Sequence, residues 1–176
     1  MKTKSLKSYK TPLRYPGGKS RALSKLFQFI PDLKDYTEFR EPFLGGGSVA
    51  IEIGKRYPHI DIWVNDLYEP LYNFWKVLQS DGQKLRDILI QLKQRHSDPS
   101  SAKQLFLDAK DYLAKPVGNS IDRAVAFYVV NKCSFSGLTE SSAFSKQASE
   151  SNFSVNGIEK LPESVSYTHL TLPTNA

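Results

Sequence analysis

Three short strings in this 176-residue chain combine residue types with spacings that could support chemistry. The first is Tyr15-Pro16-Gly17-Gly18-Lys19, a turn carrying an aromatic ring and a cation. The second is Glu41-Pro42-Phe43-Leu44-Gly45-Gly46-Gly47-Ser48-Val49-Ala50. It satisfies G-x-G-x-x-[G/A] and leads from a predicted strand into a predicted helix. Glycines there let the chain turn sharply and let a ligand reach the backbone, while the helix start offers unpaired N–H groups. The third is Asn65-Asp66, ending the next predicted strand nineteen residues beyond Gly47. An acidic side chain in that place can accept from both hydroxyls of an adenosine ribose. A glycine-rich turn followed by a surface aspartate is the plain alternative; the joint spacing favours a nucleoside cofactor. NAD and FAD are common companions of this pattern. Glu41-Pro42-Phe43, however, stands where a dinucleotide fold has an unbroken apolar strand, and the Pro-Gly-Gly-Lys turn lies upstream, so another adenosine cofactor is expected.

The elements that must position these strings follow from periodicity. Ser20 is placed to cap a helix with apolar residues at Leu23, Leu26, Phe27 and Ile30, ended by Pro31. Tyr36 to Phe43 reads as β, Ser48 to Arg56 as helix, and Ile60 to Val64 as a short strand with Ile60, Ile62 and Val64 alternating. Strand, glycine turn, helix, strand is a βαβ unit, which requires a parallel sheet. Four helices are expected next. They are marked by Leu67, Leu71, Phe74, Trp75 and Leu78, then by Leu85 to Leu92, then by Leu105 to Tyr112, and last by Ile121 to Val130 with Ser120 as its cap. Residues 131–157 are rich in Ser and Asn, with Phe135, Phe144 and Phe153 spaced among them. Such a stretch reads as a polar loop, a poor core and a recognition element.

Composition narrows the class. The chain is 40% hydrophobic and 24% charged, enough for a packed core. A single cysteine, Cys133, excludes a disulfide scaffold, and His59, His96 and His169 are too scattered for a histidine metal site. No run approaches 18 apolar residues, so a soluble, cytoplasmic protein is expected. The net charge of +6 favours a polyanionic partner. Residues 1–40 carry ten Lys and Arg against three acidic residues. Residues 1–11 therefore form a basic arm, suited either to lie along phosphates or to serve as a solvated tail.

Taken together, the three strings resemble the D12-class, Dam-type DNA adenine-N6 methyltransferases, which use S-adenosylmethionine. Tyr15 to Lys19 is similar to that family's aromatic-x-Gly-Gly-Lys motif. Glu41 to Val49 is similar to its E-P-F-x-G-x-G-S-V loop, and Asn65-Asp66 to its ribose-binding strand end. Asn131 to Leu138 and Asn152 to Val155 resemble, more loosely, its target-recognition part. The resemblance runs over roughly residues 12–162. It implies an α/β, Rossmann-like methyltransferase core, incomplete here, at residues 12–66, with an inserted, mainly helical target-recognition region at 67–162. It further implies that Tyr15, Gly18, Lys19, Glu41, Pro42, Phe43, Gly45 and Gly47 contact the cofactor and that Asp66 holds the ribose. Phe135, Ser136, Leu138 and Glu140 would face double-stranded DNA. Phe135 either stacks on or between bases, or packs against the helix before it. Glu140 could accept from a cytosine amino group but not donate to guanine. The implied reaction is direct methyl transfer by a monomer, with no metal, no membrane and no covalent enzyme intermediate; Cys133 is then structural.

Two departures set limits. The family's catalytic [D/N/S]-P-P-[Y/F/W] signature does not occur, since the chain has no Pro-Pro. That signature accepts the hydrogens of a poorly nucleophilic amino group and stacks on the extruded base. The nearest string, Asp98-Pro99-Ser100-Ser101, has no aromatic, so no catalytic residue is assigned. Residues 165–176 carry no Asp, Glu, Lys or Arg and do not resemble the family, so residues 163–176 are expected to be the foreign tail of a truncated, inactive chain. Two readings of other classes stay open. A NAD-type oxidoreductase fragment would bind NADH, and a non-catalytic DNA-binding module would be indifferent to cofactor.

Overall fold

The computed structural model describes residues 11–115, 118–137, 141–165 and 170–172. The basic arm up to residue 10 lies outside the described residues, as do Leu138 and Glu140. The first strand, β1 (Glu38–Glu41), is short. It leads through the glycine loop into a helix (Ser48–Arg56) and on to β2 (Asp61–Val64). The two strands pair in parallel, Glu38 with Asp61 through Glu41 with Val64, as the βαβ pattern requires. Ile60, Ile62 and Val64 are buried, so the period-2 alternation reflects one face set on the core. On the other side of β2, Leu170–Thr171 (β3) adds a parallel pair opposite Ile62 and Trp63. The fold is thus mostly helical with a small parallel sheet whose central strand is β2.

Helices are numbered with a short first turn, α1 (Leu23–Leu26), so that Ser48–Arg56 is α2. The helix expected from Ser20 to Pro31 forms only in part, as a 3-10 turn (Lys19–Arg21) and the four-residue α1. Ser20 caps nothing; it lies inside a 3-10 turn (Lys19–Arg21), its hydroxyl 2.7 Å from that of Ser48. Leu23, Leu26, Phe27 and Ile30 are half-buried against the core, and short-range backbone bonds, such as the Phe27 N–H to the Leu23 carbonyl at 2.9 Å, hold the region as consecutive turns. The first two helices expected after Asp66 join as α3 (Glu69–Arg95), with one non-helical residue, Asp81, at the kink. Leu67, read as part of that helix, precedes it and is 97% exposed.

Next come α4 (Pro99–Ala114) and α5 (Ser120–Cys133). Asp98 is the N-cap of α4, accepting from the N–H groups of Ser100 (2.9 Å) and Ser101 (3.1 Å). That accounts for the Asp-Pro-Ser-Ser string as a helix start, with proline at N1. The cap of α5 is Asn119 rather than Ser120, its side chain accepting from the Ile121 N–H at 2.9 Å. α5 is buried nearly all round, the mark of a core helix. Phe74 of α3 stacks on Tyr128 with ring centroids 5.8 Å apart and meets Phe127 at 5.5 Å. Residues 131–157 are not one loop. They include α6 (Lys146–Ser151) and α7 (Val155–Glu159), and Phe153 is buried against Tyr128 while Phe144 packs on Phe106. Of the three spaced aromatics, Phe135 stays at the surface, 70% exposed.

Candidate functional site

The C-terminal ends of β1 and β2 carry Glu41 and Asn65-Asp66 to one side of the molecule, facing the turn before α1 and the start of α2. Between them lies a cavity of about 240 Å³. Tyr15, Gly18, Lys19, Glu41, Phe43, Gly45 and Asp66 all line it. Pro42 does not; it borders a separate apolar groove with Trp63 on the other side of the strand end. Gly47 does not line it either. Phe43 is 79% exposed at the edge of the cleft.

Tyr15, Asp66 and Glu41 are each held by specific contacts. Tyr15 to Gly18 closes as a Pro-Gly β-turn, with the Gly18 N–H donating to the Tyr15 carbonyl at 2.9 Å. That turn lays the Tyr15 ring on the glycine loop, where a Cβ on Gly45 would sit 3.1 Å from the ring. Burial, and secondly the Asp66 carboxylate, push the Tyr15 phenol above its ordinary value, so the ring presents a neutral wall. Thr11 Oγ1 donates to the Gly46 carbonyl and ties the entering chain to the same loop. Asp66 is more than a free acceptor. Its Oδ2 accepts from the Gly45 N–H (2.9 Å) and its Oδ1 from the Tyr68 N–H (3.1 Å). Each carboxylate oxygen keeps a further lone pair for a ligand hydroxyl.

Glu41 is the most perturbed group here. Its Oε2 accepts from the Ala50 N–H (3.0 Å), one of the orphan donors in the first turn of α2. Burial raises its carboxyl to about 7, outweighing that hydrogen bond and the Lys19 cation, which both act to lower it; Asp66 adds to the rise. The cleft thus contains two carboxylates, one cation, an aromatic wall and exposed loop backbone.

Sequence reasoning did not single out Pro16, Gly17, Leu44, Gly46, Ser48 or Val49, which also line the cleft, nor the side chain that supports its loop. Trp75 of α3 was read only as a helix marker, but its buried Nε1 donates to the Gly45 carbonyl at 3.1 Å. Its ring also fills the space beside Gly47, which has φ +71°. A buried indole N–H needs a partner, and that requirement was the available signal. Trp75→Phe keeps most of the ring and removes the donor. It is expected to cost about 1–3 kcal/mol in urea unfolding, because the Gly45 carbonyl loses a buried partner. Cys133 is buried, and burial raises its thiol to about 12, which leaves it inert.

A second, polar cavity of about 350 Å³ lies beside Phe135 and Ser136, lined also by Arg14, Ser134, Gln147 and Asn152. Among the described residues no group of three or more His, Cys, Asp or Glu is placed to hold a metal ion, and no helix is long and apolar enough to cross a membrane.

A glycine loop after the first of two parallel strands, an aspartate just past the second and an aromatic turn over the loop together line one cleft at the strand ends. Residues 15–168 match the D12 class N6 adenine-specific DNA methyltransferase family, and the chain belongs to that family. It is 31% identical over 126 residues to a DNA N-6-adenine-methyltransferase of Escherichia phage P1, covering 72% of this chain and 15% of that protein. It is 27% identical over 133 residues to the type II methyltransferase M.MjaIII of Methanocaldococcus jannaschii, covering 72% of this chain and 46% of that protein. The chain therefore spans less than half the length of either relative.

Proposed function

We propose that this chain is the donor-holding and target-contacting portion of a DNA adenine-N6 methyltransferase with a Rossmann-like core, acting on adenine in a specific sequence of double-stranded DNA. The observation that carries the reading is the convergence of Tyr15, Lys19, Glu41, Gly45 and Asp66, from separate parts of the chain, on one cleft. The names of the two relatives and the family match support it.

The lining fits S-adenosylmethionine by chemistry. Asp66 suits the ribose hydroxyls, Tyr15 an aromatic or apolar surface, Lys19 a carboxylate and Glu41 a cation. At about 240 Å³ the cleft is below the roughly 300–1,000 Å³ of sites that enclose a whole ligand, so it grips one portion of such a molecule. When bound, S-adenosylmethionine supplies a methyl group on a sulfonium, which an adenine amino nitrogen takes as the carbon–sulfur bond breaks and the nitrogen gives up a proton. The residues of this chain bind and orient the donor. No polar-Pro-Pro-aromatic string is present in it to accept the amino hydrogens. Phe135, exposed beside a polar cavity, is the side chain suited to meet DNA, with Ser136 next to it.

The test is calorimetric titration with S-adenosylmethionine and, separately, NADH. Binding of the first and not the second is expected; the reverse would replace this reading with the oxidoreductase one. Asp66→Ala should weaken S-adenosylmethionine by about 1.5–3 kcal/mol through lost charge-assisted hydrogen bonds. Unchanged affinity in a folded variant would remove Asp66 from the site.

A further inference from the structure

The segment Leu13–Tyr15 lies between the two cavities. Tyr15 lines the cleft on one side, and Arg14 lines the polar cavity beside Phe135 on the other. What joins them is Asn131, fully buried near the end of α5. Its Oδ1 accepts from the Arg14 N–H at 3.1 Å. Its Nδ2 donates to the Arg14 carbonyl at 2.6 Å and to the Gly137 carbonyl at 3.2 Å. A carboxamide that both accepts from and donates to one residue's backbone satisfies two peptide groups at once, as a strand partner does. Arg14 returns a bond from its guanidinium, with Nη1 donating to the Ser134 carbonyl at 2.9 Å. Gly137 closes the wrap with φ +73°, where a Cβ would lie 2.7 Å from Arg14 Cβ and from its carbonyl oxygen. Phe135 is therefore tethered through residues on both sides of it, while its ring remains exposed.

We propose that Asn131 is a positioning residue that fastens the cofactor turn to the Phe135 segment, so that filling the cleft orders the side chains presented to DNA. This rests on the cofactor reading above. A ligand packed against Tyr15 restrains residues 13–15. The hydrogen bonds from Arg14 to Asn131 and Ser134 are then held in one geometry, and the segment 134–137 loses freedom with them. No change of backbone path is required, because the contacts are already made.

The experiment is amide hydrogen exchange on the full 176-residue chain with and without S-adenosylhomocysteine, with titration calorimetry alongside. Ligand should slow exchange in peptides covering residues 13–18 and also in those covering 134–137, the latter by about fivefold or more, the lower end of ordinary coupling between sites. In Asn131→Ala, protection of 13–18 should persist while that of 134–137 disappears. If Asn131→Ala does not fold, Gly137→Ala breaks the same wrap from the other side, and the unaltered chain decides the main point in either case. Binding heat with protection confined to residues 13–18 of the unaltered chain overturns the proposal and leaves the cofactor reading standing. No heat and no protection removes both. An Asn131 that merely supports the fold would lower stability when replaced, but would not give ligand-dependent protection at 134–137.

Discussion

Gly47→Ala is expected to disorder the glycine loop and abolish S-adenosylmethionine binding at concentrations that saturate the unaltered chain. Two costs act together. At φ +71° an alanine sits in the left-handed region, at about 1–2 kcal/mol. Its Cβ would also lie 2.7 Å from Cζ2 of Trp75. Trp75 cannot retreat cheaply. It is fully buried, its ring meets Phe74 at 5.8 Å, and its Nε1 donates to the Gly45 carbonyl of the same loop. Overpacking of this kind costs about 1–3 kcal/mol. Urea unfolding should therefore show a loss of roughly 2–5 kcal/mol. A folded Gly47→Ala chain with unchanged affinity would show that the cleft does not depend on this loop.

Glu41 supplies the second large effect, and its sign is set by burial. In the folded chain its carboxyl is raised to about 7 from an ordinary 4.5. Between those values the folded state holds a proton that the unfolded state has released. Stability therefore falls as pH rises from about 4.5 to 7 and stays low above that. The side chain is only part-buried, so the loss is about 1–3 kcal/mol rather than the full value of the shift. Glu41→Gln keeps an acceptor for the Ala50 N–H and removes the titration. It should flatten that slope and be the more stable chain at pH 8.

Ligand binding should carry the opposite slope. S-adenosylmethionine is a net cation at neutral pH, and a cation beside Glu41 favours its ionised form. Binding below pH 7 then releases a proton, so affinity rises with pH, by up to about tenfold per unit. S-adenosylhomocysteine, which lacks the sulfonium, should show a shallower rise, and Glu41→Gln none. Calorimetry in buffers of different ionisation enthalpy measures the released proton directly. A slope that survives in Glu41→Gln would assign the proton to another group.

The strings that carry the site were legible because their chemistry is local. A turn needing Pro-Gly, a loop needing glycine and a strand ending on aspartate each constrain a few adjacent residues, and α2 and the buried face of β2 follow from period alone. Sequence also determined the family, since three short motifs in one order are far more specific than any of them singly. Tertiary structure decided what long-range packing controls. It gave Asp66 two backbone donors to hold, set Trp75 against Gly47, and moved Pro42 out of the cleft. It split the three spaced phenylalanines, burying Phe153 and leaving Phe135 exposed, although their neighbours are equally polar. It also brought Asn131 against Arg14 from 117 residues away. Periodicity reports which face of an element is apolar, whereas a buried carboxamide or indole finds its partner only when two distant segments close on each other.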